Sequence, residues 1–283
     1  MAELIANESV PMTFIRVLGR PYLRVTGLRC IASIFRNFFF LQHKTAFLPG
    51  APVSRADHPL DEKIPFTPGK VNIYLDFIAF WIRTLSFMLR KFGRTSYEPV
   101  RVFCESMGNL YAYAAEVYRK NFSTTNRPFY IKRPKFLLIH LVDPHLMCVP
   151  SLHVMVVIRT YTFFRKLIKT LGEEERYAAQ AEELRRGAIA ITEAVLYIKQ
   201  HSVNCIPAAL YAMTRYDPEL FPPGEAAAFL SGIFRRARAP GEEDAEEIRN
   251  YILSMYSYFL EQGKNAADWR EPLFDFLKDL PKG

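Results

Sequence analysis

The longest apolar stretches of this 283-residue chain all carry ionisable residues inside them. Residues 71–89 contain Asp76 and Arg83, and residues 136–158 contain His140, Asp143, His145 and His153, with Pro144 and Pro150 interrupting the run. A membrane-spanning helix needs roughly 20 predominantly apolar residues, so none of these reads as a clean span. Strand-type alternation and internal repeats are absent, which leaves an all-α chain: a helical bundle of about six to eight helices, soluble or membrane-associated. With 50% hydrophobic and 23% charged residues, the composition is that of a folded protein and excludes disorder, collagen-like repeats and coiled-coil rods.

Punctuation by proline and glycine divides the chain into a basic amphipathic N-terminal helical arm (1–47), a Pro-rich linker (48–70) and a helical domain (71–283). The arm is expected to break near Gly19-Arg20-Pro21. Helices are predicted over 71–91, 98–120 and 150–169. A charged helical stretch at 173–186 should run on through 188–198 to about 213 with a kink at Pro207, and a last helix is placed near 248–262. Residues 121–133 read as a polar crossing loop.

Charge narrows the partners. Lys and Arg number 37 against 29 Asp and Glu, a net charge of +8, so the surface should attract anions. The excess is uneven. Residues 9–56 hold no acidic side chain, while Arg24, Arg29, Arg36 and Lys44 are interleaved with Phe14, Tyr22, Phe35 and Phe38 to Phe40. That mixture suits an acidic membrane surface, and equally a basic arm whose apolar side packs on the domain. Nucleic acid is not expected, because no recognition-helix motif or aromatic RNA-binding signature accompanies the charge. Cys30, Cys104, Cys148 and Cys205 form no CxxC pair and imply no disulfide; the N-terminus lacks the basic-then-apolar start of a secretory signal. The expected location is membrane, integral or peripheral, with the cytoplasm as the alternative.

Three features point to phosphate chemistry. Lys120 and Arg127, with Pro128 following, put two cations on one loop, and arginine grips phosphate oxygens bidentately. Pro150-Ser151-Leu152-His153 opens an apolar helix, where free amides and the positive helix end favour an anion and an imidazole can donate a proton. His201 lies in the apolar stretch 194–205 and is expected inside a helix.

In their order and spacing these features resemble the type 2 phosphatidic acid phosphatase and vanadium haloperoxidase superfamily. Lys120, Arg127 and Pro128 match its Lys-x6-Arg-Pro motif; Pro150, Ser151 and His153 match Pro-Ser-x-His; and His201 matches one position of Ser-Arg-x5-His-x3-Asp. The text around Ser151 looks like the inositolphosphotransferase-like branch. The resemblance covers residues 120–205 and implies a phosphoesterase or phosphotransferase acting on a phospholipid or other phosphate monoester, with no metal or other cofactor. His201 would form a phosphohistidine, His153 would protonate the leaving alcohol, and Lys120, Arg127 and Ser151 would hold the phosphoryl group. The motif's arginine and aspartate fall on Val195 and Cys205. In a serine protease, losing the carboxylate that orients the histidine costs on the order of 10⁴ in rate. Asn204, one helical turn beyond His201, is the expected neutral substitute, and Lys199, offset by two residues, should point to nearly the opposite side of the helix. The competing reading is a catalytically degenerate member that binds anions or docks on membranes. A metal site on His140, Asp143, His145 and His153 is a weaker possibility, because their spacing fits no zinc pattern.

Overall fold

Where prolines and glycines punctuate the N-terminal segment, the helices start and stop. α1 (Val10–Leu18) begins under Ser9, whose Oγ accepts from the Met12 amide, and α2 (Pro21–Ile34) starts on proline after the expected break. Proline at a first helical position gives up no intrahelical bond. A π-helical stretch, Phe35–Phe40, runs on into α3 (Leu41–Ala46). The computed structural model describes residues 3–46 and 53–282, and the architecture is all-α.

The core is built from α4 (Val71–Lys91), α5 (Tyr97–Tyr118), α7 (Leu152–Thr170), α8 (Ala178–Tyr197) and α9 (Cys205–Tyr216), with α6 (Pro134–Val142) lying outside them. α7 is the central element, packing on α4, α5, α8 and α9. Every residue from Leu152 to Phe164 is buried, which is why its sequence is apolar almost all round. Its one buried cation, Arg159, pairs with Asp217. α10 (Pro223–Leu230), α11 (Glu242–Lys264) and α12 (Glu271–Asp279) close the far side. The described residues hold twelve α-helices, more than the six to eight expected, because elements as short as α3, α6 and α12 span fewer than three turns and are hard to separate from loops in a sequence.

The arm is part of this packing. α2 lies along α5, where Gly108 permits close approach: a Cβ there would sit 3.4 Å from the Cys30 Cα. α1 lies on α4, and Glu183 of α8 accepts from the amides of Ile5 and Ala6. Among the described residues α4 is the one helix long and apolar enough to cross a membrane, with mean hydropathy 1.2 over its best window; most of that window is buried against neighbouring helices.

Two expectations are corrected. The long helix over 173–213 is two helices. α8 ends at Tyr197, Lys199 turns the chain at φ 57°, and α9 begins at Cys205 with Pro207 in its first turn, where a missing N–H has no intrahelical role and no kink results. The expected linker is not a loose connection over its described part. β1 (Val53–Arg55) pairs in parallel with β2 (Phe122–Thr124), and Ala56, Leu60 and Ile64 are buried. Thr67 N–H then donates to the Tyr197 carbonyl, at the end of α8.

Candidate functional site

Residues 53–64 hold the turn that carries His201. Asp61 accepts from the Val203 amide at 2.8 Å and from the His58 amide at 2.8 Å. Lys199 Nζ donates to the Asp61 and Ile64 carbonyls, and Asn204 Nδ2 donates to the Ala56 carbonyl at 3.1 Å. His201 therefore sits on a stapled turn rather than inside a helix.

That turn faces the start of α7. His201 Nε2 lies 3.3 Å from His153 Nδ1, and His201 Nδ1 lies 3.1 Å from the Cys148 carbonyl. A carbonyl only accepts, so His201 Nδ1 carries the proton and its Nε2 presents a lone pair, to which His153 Nδ1–H donates. The same logic fixes a third imidazole. His145 Nε2–H donates to the Gln200 carbonyl at 2.8 Å, leaving Nδ1 to accept from Thr124 Oγ at 3.1 Å. The His153 ring lies between Tyr74 and Phe77, centroids 4.5 and 4.1 Å away.

Burial sets the charge state. Desolvation, helped by the neighbouring His145, pushes His153 down to about 3. His201 is held well below its ordinary value by burial and by the two other imidazoles, and His145 is lowered mainly by burial. The centre is thus a cluster of neutral imidazoles near pH 7.

Arg127 is the cation that approaches it. Its guanidinium donates to Gln200 Oε1 at 3.3 Å and to the Asp143 carbonyl at 3.1 Å, linking the loop after β2 to both histidine-bearing segments. Lys120 does not join: its ammonium lies over the Phe274 ring, 4.4 Å from the centroid, on the side of α12. Seven residues of separation do not keep the two cations together, because the chain between them runs extended through β2. Asn204 does not orient His201 either. Its Oδ1 accepts from the Tyr251 hydroxyl, and the helical spacing assumed for the pair does not exist in the 198–204 turn. The Cys148 carbonyl has the orienting role instead. Val195 and Cys205, at the positions of the motif's arginine and aspartate, are fully buried, and the Cys205 carbonyl accepts from the Ser151 amide.

Three buried polar groups on these same segments have no hydrogen-bond partner among the described residues: Ser151 Oγ, Gln200 Nε2 and Thr125 Oγ. Native proteins rarely leave such groups unpaired, so they mark where a polar ligand or water fits. A cavity at the histidines, lined by Phe38, Gln42, Asp143, His145, His153 and His201 among others, has a volume of about 20 Å³, room for one water. Among the described residues no three His, Cys, Asp or Glu side chains converge to hold a metal ion; His140 stands apart, with Nε2 near the Tyr130 amide.

Sequence reasoning missed the second-rank members of the site. His145 follows an Asp-Pro turn and was weighed only as a metal ligand, while Gln200 and Asp61 carry no motif signal at all. The Asp61 contact spans 142 positions and has no local signature.

Comparison with known proteins gives no neighbour: no protein-family model, no curated protein and no solved structure matches the chain.

Proposed function

We propose that the buried centre is a phosphoryl-transfer site of the phosphohistidine type, acting on a phosphate monoester, with a phospholipid headgroup as the favoured class. The observation that supports this most is the tautomer of His201: a neutral imidazole whose Nδ1–H is fixed on a backbone carbonyl, which leaves the lone pair on Nε2, the atom that accepts from His153 beside the cavity. A nucleophilic imidazole needs that form, and burial keeps it so across the physiological range.

In this reading His201 Nε2 forms a bond to phosphorus while the ester P–O bond breaks. His153 delivers a proton to the departing alkoxide; a phosphoryl dianion placed against it favours the charged imidazolium it needs. Water then takes the phosphoryl group from His201, and free alcohol and inorganic phosphate leave. Arg127, the first-turn amides of α7 and the unpartnered Ser151, Gln200 and Thr125 groups are the donors for phosphoryl oxygens. The Cys148 carbonyl holds the imidazole as an orienting carboxylate would, without the charge that stabilises the imidazolium, so turnover should be slow.

A second reading, a binding protein that retains the pocket without turnover, is favoured by the position of Lys120 and by the one-water cavity. Phosphate release from phosphatidic acid and from an aryl phosphate, without added metal, separates the two. The enzyme reading expects release that falls at least a hundredfold in both His201→Ala and His153→Ala, with acid-labile label trapped on the wild type. No release from folded wild type, with phosphate still protecting it against heat, establishes binding without turnover.

A further inference from the structure

We propose that the N-terminal arm and α6 together form a docking face for an anionic phospholipid bilayer, set around the mouth of the histidine cavity. The proposal stands on surface chemistry and geometry and does not require His201 to turn over.

The face has two halves. On the arm, Ile15, Tyr22, Val25, Leu28, Phe35 and Phe40 point outward, Ile15 and Phe40 with 64% and 66% of their surface exposed. Tyr22, Val25 and Leu28 follow at intervals of three along one side of α2, while Leu23, Thr26 and Cys30 of the same helix face α5. The other half is α6 and the loop before it. Phe136 and Ile139 are buried beneath α6, yet its outer side is also apolar, with Leu137, Leu138 and Leu141 exposed and Phe129 beside them at 78%. A surface helix of a soluble protein ordinarily carries polar residues there. Contiguous exposed apolar groups of this size mark something that covers them.

Charge identifies the cover. Residues 9–46 and residues 117–142, which contain the two halves of the face, hold no aspartate or glutamate. The 29 acidic residues all lie elsewhere in the chain. Arg24, Arg29 and Arg36 on the arm and Lys132 and Arg133 before α6 are exposed, and none is paired with a carboxylate among the described residues. Basic side chains fringing Phe, Tyr, Leu and Ile, with the carboxylate that reaches the arm's outer side, Glu98 at Tyr22, paired with Arg101, complement an anionic lipid headgroup layer over an acyl interior.

The halves meet at the site. Gln42, at the end of the arm, donates to Asp143, at the end of α6, at 2.8 Å. Both residues line the histidine cavity. An apolar groove of about 260 Å³ runs between the arm and α4, with Phe35, Phe38 and Phe77 in its walls, and Phe77 packs on His153. A bilayer on this face would lie over this apolar groove, which shares Phe38 with the lining of the histidine cavity.

The test is sedimentation of the full chain with vesicles of neutral phosphatidylcholine, and with vesicles in which a third of the lipid is phosphatidylglycerol. We expect binding to the anionic vesicles that weakens with salt and is far weaker on neutral ones. Arg24→Gln, Arg29→Gln and Arg36→Gln combined should weaken it roughly a hundredfold, at about fivefold per charge. Leu138→Glu with Leu141→Glu should abolish it with melting temperature unchanged, since both side chains are exposed. His201→Ala should bind like wild type, which keeps this result separate from the fate of the phosphoryl-transfer reading. Wild type that stays unbound on anionic vesicles overturns the proposal, as does equal binding by the leucine variant. A dimer in solution dispersed by the leucine variant, without vesicle binding, also overturns it in favour of a second copy of the chain.

Discussion

The histidine centre and the arm–α6 face invert the usual distribution of polarity. The centre is buried and gathers three imidazoles, an arginine and unpartnered hydroxyl and amide groups; the face is exposed and offers phenylalanine, leucine and isoleucine to its surroundings. Each departs from what stability alone selects: buried polar groups cost free energy unless paired, and exposed apolar clusters invite association. Such departures cluster where a protein has something to do. The lesson is that function in this chain is read from the two places where burial and chemistry disagree.

Acid should break the comparison most strongly, because it attacks only the buried side. A histidine whose folded value is depressed refuses a proton that the unfolded chain accepts. Stability is therefore full above the ordinary value of 6.5 and is lost as pH falls toward the folded value, about 3 for His153. Over that window His153 alone accounts for roughly 4–5 kcal/mol. Urea unfolding of wild type against His153→Gln at stepped pH should show the variant's stability falling less steeply, by about 1.4 kcal/mol per pH unit. Parallel curves would place the buried proton refusal elsewhere.

Within α6 the same contrast is visible across one helix. Phe136→Ala empties a buried site packed on Phe66 and Tyr130 and should cost about 3–5 kcal/mol. The segment that staples the His201 turn should be the next most sensitive. Asp61→Asn keeps one acceptor but turns an amide toward either the His58 or the Val203 N–H, leaving a donor unpaired, and should cost about 1–3 kcal/mol. The ring proton resonances of His201 should shift or broaden in the same variant; an unchanged His201 signal would show that the turn holds itself. Smallest of all, Leu141→Ala, five positions from Phe136 and 72% exposed, should change stability by no more than about 0.5 kcal/mol. A large loss there would mean that the outer side of α6 is already covered in the free protein.

Much of the architecture was legible in the sequence because its causes are local. α4, α5 and α7 follow from apolar periodicity with proline or serine at their starts, and the α1–α2 break follows from Gly19-Arg20-Pro21. The sequence singled out His153 and His201, which meet at 3.3 Å, and Arg127, which bonds Gln200 beside His201. What was not legible is set by distant contacts. Nothing near Lys199 or His201 announces that Asp61 and Ala56 will bond across the turn, so the segment read as one continuous helix. Lys120 turns to Phe274, more than 150 positions away, and no spacing rule reaches that far. The small parallel sheet was invisible for the same reason: β1 and β2 are each three residues long and lie far apart in the chain.

The staple on the His201 turn also fixes when the centre comes into being. Asp61 meets Val203, Ala56 meets Asn204, and Ser54, on the strand just before them, donates to the Leu277 carbonyl at 2.7 Å. Contacts of such separation close only after large loops have closed, which makes them late and slow relative to helix formation. The Ser54–Leu277 bond alone spans 223 positions. The turn that brings His201 to His153 is thus held by partners that folding of its own neighbourhood does not supply, and the pair assembles only when distant parts of the chain have met.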